Sequence, residues 1–204
     1  MRSFGLRVFK RMFPDLVWEI PNEPNAVFLT FDDGPNPITT PWILDTLSKY
    51  NAKATFFCLG KNVEQHPAMF DLIGQSGCAV GNHTYSHQKG WGMSTGRYVE
   101  DIDLADLYIH SRLFRPPYSR IGTNQMRMVS ERYKIIMWSL ISMDYSRHIS
   151  RTTCANLVIN NARPGSIIVF HDSLKAFDNL RYALPAALDF FAVQGWRMKG
   201  IEGG

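Results

Sequence analysis

Short apolar runs alternate with amphipathic segments along most of this chain. The runs at residues 26–31, 54–59 and 78–81 are apolar and bounded by turn-forming residues, which is typical of buried strands. The longest amphipathic segment, residues 94–111, carries apolar residues three and four positions apart, which predicts a helix with one buried face. Because strand and helix alternate, the pattern predicts a parallel α/β architecture of about seven strands.

The remaining elements follow the same alternation. Thr40 and Pro41 precede an apolar stripe, and we interpret them as a helix N-cap and the first helical position. Further helices are predicted at residues 67–75, 124–132, 152–162 and 180–194, and further strands at 134–138, 166–170 and 196–199.

Composition indicates one globular domain over residues 1–204, with residues 1–25 as an N-terminal extension. The 204 residues are 45% hydrophobic and 20% charged, which is the balance of a folded protein rather than a disordered one. A net charge of +4 without a nucleic-acid-binding motif predicts no nucleic-acid partner. Three widely spaced cysteines form neither a disulfide framework nor a cysteine metal motif.

Residues 1–13 mix basic and apolar side chains. The basic residues interrupt every candidate for a signal peptide, and no apolar run reaches the roughly 18–20 residues that span a bilayer. Two interpretations remain: an interfacial amphipathic helix that contacts a membrane, or a terminal helix that packs on its own domain. The expected location is therefore cytoplasmic or at the membrane periphery.

Reactive side chains follow the ends of several predicted strands. Since the carboxyl ends of parallel strands share one edge of a sheet, we expect these side chains to meet in one site. They are Asp32, Asp33, His83, His87, Arg115, Asp144 and His171.

One carboxylate and two imidazoles can bind a divalent metal and leave a fourth position open. The adjacent Asp32 and Asp33, with His83 and His87, provide such a set and one further carboxylate. That carboxylate could activate water, which predicts a metal-dependent hydrolase. Taken alone, the two aspartates could simply form a turn, and the two histidines could be ordinary surface or core residues without a ligand role. The spacing of four between the histidines fits either a helix or a tight loop.

Other side chains could complete such a site. His171 can donate a proton to a leaving group, and Arg115 can hold a carboxylate in place. Tyr118 could shape the pocket rim or simply form a turn. The aromatic faces of Trp91, Trp138 and Tyr145 suit either a sugar ring or ordinary packing, and we include Trp91 among the candidate substrate contacts.

Together these residues resemble the polysaccharide deacetylase family, the NodB-homology domain of chitin, chitooligosaccharide and peptidoglycan deacetylases. The resemblance covers residues 26 to about 199. It rests on four segments in the family's order: TFDDG at 30–34, GNHTYSH at 81–87, RPPY at 115–118 and FHD at 170–172.

The resemblance implies a distorted (β/α) barrel, usually of seven strands. It also implies a zinc-type metal held by Asp33, His83 and His87, although the same ligands suit cobalt or nickel. Metal identity in the cell is therefore left open.

The resemblance further assigns the catalytic roles. Asp32 would be the general base and His171 the general acid. Arg115 would orient Asp32, and the backbone N–H of Tyr118 would stabilise the oxyanion.

One family motif differs here. The usual Asp-x-x-Asp-Trp is replaced by a stretch with Ile141 at the first position and Tyr145 at the last, while Asp144 remains and could orient His171. Phe170 stands where the family usually has leucine, and we expect it to contact the substrate and narrow the acetyl side of the pocket.

The expected function is removal of N-linked, less readily O-linked, acetyl groups from an acetylated carbohydrate. Two alternatives remain. One is a deacylase or deformylase of a lipid- or nucleotide-linked amino sugar. The other is a carbohydrate-binding module without activity, which would lack a base, a ligand or an acid.

Overall fold

The computed structural model describes residues 16–202, in which eight strands alternate with seven α-helices. The strands are β1 (Ala26–Asp32), β2 (Thr55–Cys58), β3 (Ala79–Asn82), β4 (Leu113–Phe114), β5 (Lys134–Ile135), β6 (Leu140–Ile141), β7 (Ile167–His171) and β8 (Arg197–Lys199). The helices are α1 (Thr39–Ser48), α2 (Gly60–Gln65), α3 (Pro67–Gln75), α4 (Thr95–Ile109), α5 (Thr123–Ser130), α6 (Arg151–Asn161) and α7 (Phe177–Val193). Both interpretations of residues 1–13, a helix that contacts a membrane and a helix that packs on its own domain, concern residues outside the described part of the chain.

The eight strands form one parallel sheet. Seven follow the order β5-β4-β3-β2-β1-β7-β6, and β8 pairs with the first residues of β1. Within residues 16–202 no ladder joins β5 to β6, so the sheet curls into an incomplete barrel. Isolated bridges from Val17 to Ile136 and from Glu19 to Ser166 link the segment before β1 to the two sides of this gap. The predicted distorted (β/α) barrel is confirmed.

No helix among the described residues is both long enough and apolar enough to cross a bilayer.

The central strand β1 is buried along its whole length, and its side chains alternate between two environments. Val27, Leu29 and Phe31 belong to the large apolar core that the helices cover. Phe28 belongs to a second cluster that also includes Ile136 and Ile167. Since side chains alternate along a strand, Thr30 and Asp32 share the face of Phe28. The inner face of β1 therefore ends in a carboxylate.

The predicted N-cap at Thr40 is wrong. Helix α1 already begins at Thr39, and the N-cap position, Ile38, makes no side-chain bond. The Thr40 hydroxyl accepts the Asn36 N–H at 2.7 Å and donates to the buried carboxyl of Asp172 at 2.5 Å. The hydroxyl thus serves a tertiary contact with β7, which the local pattern does not reveal.

Candidate active site and metal centre

A cavity of about 550 Å³ opens at the carboxyl ends of the strands. Residues from β1, β7 and the segments after β3 and β4 meet in it, as the sequence predicts. Seven of the predicted site residues line it: Asp32, Asp33, His83, His87, Arg115, Tyr118 and His171. Asp144 lies directly behind His171 and contacts it.

Both aspartates face this cavity because the backbone changes conformation between them. Asp32 is the last residue of β1, and in a continuing strand Asp33 would point to the opposite face. Asp33 instead has a φ of 78°, in the left-handed region. Its carbonyl accepts a hydrogen bond of 2.7 Å from the Asn62 side chain, which holds this turn in place.

The two histidines are brought together by a tight loop after β3, not by a helix. The Asn82 side chain accepts the Thr84 N–H at 2.8 Å, and the Thr84 hydroxyl accepts the His87 N–H at 3.0 Å. Thr84 and His87 both have positive φ angles, 66° and 62°. As a result the imidazole centroids of His83 and His87 lie 5.2 Å apart.

Asp33, His83 and His87 form a candidate metal centre. Asp33 Oδ1 lies 3.3 Å from His87 Nε2 and 3.8 Å from His83 Nε2. Ligand atoms of all three residues lie within 4.8 Å of one another. Asp33 Oδ1 is buried and has no hydrogen-bond partner among the described residues, a costly state that a cation would relieve. The three side chains therefore fit a divalent metal.

The protonation of the histidines suits this role. His83 Nδ1 lies 2.7 Å from the carbonyl oxygen of Arg115, which can only accept, so Nδ1 carries the proton and Nε2 is left to bind a cation. Burial, followed by the proximity of His83, lowers the pKa of His87 to about 4. His87 is therefore uncharged at neutral pH.

Arg115 is a fully buried cation whose donors are almost all used. Its Nη1 donates to Asp32 Oδ1 and to Thr30 Oγ1, each at 2.7 Å. Nε and Nη2 donate to the carbonyl oxygens of Ile136 and Met137 at 3.2 and 2.9 Å. Since those carbonyls follow β5, one side chain ties the edge of the barrel to the central carboxylate.

This arrangement keeps Asp32 ionised. Burial alone would raise the pKa of Asp32, but the charge of Arg115, supported by His83 and His171, holds it below its usual range. The guanidinium also lies 4.1 Å from the centre of the Phe57 ring, which fixes it from one side. Asp32 is thus a carboxylate with a fixed direction, as a general base requires.

His171, in contrast to Asp32, is held in its protonated form. Its Nδ1 lies 2.7 Å from Asp144 Oδ1, and its backbone N–H donates to Asp144 Oδ2 at 2.8 Å. Burial would lower the pKa of His171, but the charge and hydrogen bond of Asp144 raise it to about 9. The imidazole therefore carries a proton at neutral pH and can donate it from Nε2.

Replacing Asp144 with asparagine is expected to shift the alkaline limb of activity to lower pH. The variant loses the charge that raises the pKa of His171, while the burial that lowers this pKa remains. An acid that must be protonated then loses its proton at a lower pH, so kcat/KM declines earlier as pH rises. The pH profile of acetate release tests this, with the exposed Asp45→Asn as control. An unchanged alkaline limb would remove His171 as the acid.

The sequence analysis assigned no role to two residues that support the site. Asn179, on α7, has its Nδ2 at 3.0, 3.2 and 3.3 Å from the carbonyl oxygens of Asp144, Ser146 and Ile149, so it holds the loop that presents Asp144. Asp172 is buried, and burial raises its pKa to about 7 against the opposing effect of two threonine hydroxyl bonds.

Asp172 also packs closely against the glycine that follows the two aspartates. A Cβ on Gly34 would collide with the Asp172 carboxyl, so only glycine allows the turn after Asp33 to pack there. Asp172 belongs to the FHD motif. Its hydrogen bonds from the hydroxyls of Thr39 and Thr40 join residues far apart in the sequence, so only the tertiary structure reveals them.

Two candidate substrate contacts lie elsewhere. Phe170 is fully buried, with its ring centre 5.8 Å from that of Phe31 in the core under the helices. The reason is alternation: His171 faces the cavity, so Phe170 cannot, and Val169 lines the cavity instead. Phe170 is therefore not a substrate contact in this cavity.

Trp91, the other candidate, lies outside this cavity and is 56% exposed.

The altered motif does border the cavity. Ile141 and Tyr145 are among its lining residues, and the Tyr145 ring meets His171 edge-on with 4.8 Å between centres.

An ionised base, a protonated acid and a candidate metal centre that share one cavity can together hydrolyse an amide or an ester. Fold and site thus define a barrel hydrolase. The chain belongs to the polysaccharide deacetylase family, whose model matches residues 19–135, more than half of its length. The expected family is confirmed.

Individual relatives agree. One peptidoglycan-N-acetylglucosamine deacetylase of Bacillus cereus is 37% identical over 75% of this chain, which spans only 58% of that relative. Another from the same organism is 31% identical over 92% of this chain and 91% of its own length. A crystal structure of a peptidoglycan N-acetylglucosamine deacetylase in complex with 4-naphthalen-1-yl-N-oxidanyl-benzamide matches with a TM-score of 0.89 and 31% identity, over 95% of this chain and 94% of that one.

Proposed function

We propose that this protein hydrolyses the N-acetyl groups of an N-acetylated glycan, with a divalent metal held by Asp33, His83 and His87. The observation that carries the proposal is the buried Oδ1 of Asp33, which has no hydrogen-bond partner among the described residues and faces the Nε2 atoms of His83 and His87 beside the ionised Asp32. The ligand set favours Zn²⁺, although Co²⁺ or Ni²⁺ would also suit it. Relatives that act on peptidoglycan N-acetylglucosamine support an acetamido sugar as the substrate.

When bound, the metal would polarise the acetyl carbonyl and make water more acidic. The chain supplies the proton transfers. Arg115 keeps Asp32 ionised. Asp32 takes a proton from the attacking water while the water oxygen forms a bond to the carbonyl carbon. Because Arg115 is anchored on two backbone carbonyls, Asp32 is oriented before substrate arrives.

The second half of the reaction breaks the carbon–nitrogen bond. His171 gives its Nε2 proton to the departing amine, and Asp144 stabilises the imidazolium beforehand. Tyr118, whose φ of 57° turns its peptide sharply beside His87, is proposed to direct its N–H at the oxyanion. One water is consumed, and acetate and a free amino sugar leave.

The inactive binding module is the less favoured alternative. It should lack a base, a metal ligand or an acid, yet Asp32, the three ligand residues and His171 are all present and oriented.

Acetate release from N-acetylglucosamine oligomers and from peptidoglycan tests the proposed function. We expect acetate and free amine in equal amounts, because each turnover breaks one amide bond, and slower release from O-acetylated sugars. A chelator should stop the release, and added Zn²⁺ should restore it. Amine release without acetate would indicate another acyl group. The absence of any acid or amine product from every acylated sugar would favour the binding module.

A further inference from the structure

The loop that carries the two histidine ligands is tied to one turn of helix α4. The Asn82 side chain donates to the carbonyl oxygen of Ile102 at 3.0 Å, and the Tyr85 N–H donates to the carbonyl oxygen of Asp101 at 3.0 Å. Ser86 bonds to the Asp101 side chain twice, because its hydroxyl donates to Oδ1 at 2.7 Å and its N–H to Oδ2 at 3.2 Å. This turn of α4 therefore forms the base of the loop.

The Asp101 carboxylate is used for this contact. It is half-buried, and within residues 16–202 no basic side chain lies at ion-pair distance from it. Its neighbour on the same helix, Asp103, pairs instead with Arg132. Because a half-buried carboxylate without a counter-charge is costly, the two hydrogen bonds from Ser86 offset the loss of its hydration.

His87 is the proposed ligand that depends most on this anchor. The ring of His83 is oriented by a hydrogen bond, since its Nδ1 lies 2.7 Å from the carbonyl oxygen of Arg115. Metal-binding histidines usually have their second ring nitrogen fixed in this way. In the part of the chain that the structure describes, no group bonds to Nδ1 of His87. Its imidazole is therefore directed by its backbone and by packing against the Tyr118 ring.

That backbone is in a conformation that needs external support. Thr84 and His87 have φ angles of 66° and 62°, which residues with a side chain rarely adopt and keep only where surrounding contacts impose them. Two N–H groups of α2 donate to the carbonyl oxygens of Thr84 and of the next residue at 3.0 and 3.2 Å. Only Asp101, however, holds Ser86, the residue directly before His87.

We propose that Asp101 is a positioning residue for the metal centre, which holds His87 in its metal-binding orientation through Ser86. Asp101 does not line the cavity, and none of the residues that do lies on α4. The proposal rests on the proposed function, because it requires the metal, and it adds a helix that stands outside the cavity to the parts that determine metal affinity.

The affinity for Zn²⁺, measured by titration calorimetry against a competing chelator, tests this role. Asp101→Ala removes both bonds to Ser86 and should raise the Kd for Zn²⁺ about tenfold to a hundredfold, the usual effect of losing a group that supports a metal ligand. Asp103→Ala is the matched control. It removes an ion pair from the same helix and should leave the Kd unchanged.

Two further variants separate hydrogen bonding from charge and from folding. In Asp101→Asn the amide oxygen can accept the Ser86 N–H and the amide nitrogen can donate to the Ser86 hydroxyl, so most of the Zn²⁺ affinity should be retained. Ser86→Ala leaves α4 unchanged and should also raise the Kd. The double variant should bind no more weakly than Asp101→Ala alone, because both changes break the same contact.

The outcomes distinguish this role from the proposed function. An unchanged Kd in folded Asp101→Ala protein, or an equal loss in Asp101→Asn, would overturn the positioning role. If Asp101→Ala does not fold, Ser86→Ala decides, and an unchanged Kd there would overturn the role as well. Weaker Zn²⁺ binding by the variants supports the role even if the unchanged protein releases no acetate, a result that contradicts only the proposed function. No Zn²⁺ binding by the unchanged protein would overturn both.

Discussion

Asp32→Asn is expected to lower kcat for acetate release by roughly a hundredfold to ten-thousandfold, the range for loss of a general base. Asparagine keeps the shape of the side chain, and its oxygen can still accept from Arg115, but it cannot take a proton from water. Asp33 and both histidines are untouched, so bound metal should remain at one equivalent. Acetate release and elemental analysis of the same sample measure the two quantities.

The change also leaves the buried Arg115 without its counter-charge. Removing one partner of a buried ion pair costs about 3–5 kcal/mol, so unfolding of the variant must be followed to show that it is folded in the assay. Asp178→Asn, with a side chain 90% exposed, is the control and should keep full activity. Full activity of folded Asp32→Asn protein would rule out Asp32 as the base.

His83→Ala is expected to weaken metal binding by more than about a hundredfold and to abolish activity with it. A change to a supporting residue already costs about 10- to 100-fold in metal affinity, and His83 is a proposed ligand itself. The Arg115 carbonyl also loses its donor, which would destabilise the fold by about 1–3 kcal/mol.

Metal content after dialysis measures this effect. His148→Ala, at an exposed histidine, should retain its metal and its activity. If His83→Ala protein keeps a full equivalent of metal under the same dialysis, His83 is not a ligand.

The parts of the fold that the sequence predicted are those with long periodic patterns. Strands β1 and β7 are seven and five residues long and almost wholly apolar, so their composition alone identifies them. Strands β4 and β6 have two residues each, too few for any period to appear. The predicted strand at 134–138 ends at Ile135, and the carbonyls that follow bind Arg115 instead of a neighbouring strand.

The sequence predicted the site residues that belong to recognisable motifs and missed those that do not. Strand ends place Asp32 and His171 together. The left-handed turn that brings Asp33 to the same cavity is held by Asn62, and the next residue, Gly34, packs against Asp172. Asn179 acts from a distant helix and belongs to no motif. Phe170 could have been assigned correctly, because strand alternation already places it opposite His171.

The central claim is that this cavity hydrolyses N-acetyl groups with a metal at Asp33, His83 and His87. Acetate release from an N-acetylglucosamine oligomer by metal-stripped protein, measured as Zn²⁺ is added, tests it most directly. The account predicts no release without metal and a rise that saturates at one Zn²⁺ per chain. Full release by metal-free protein, or none by folded protein with one bound Zn²⁺, would contradict it.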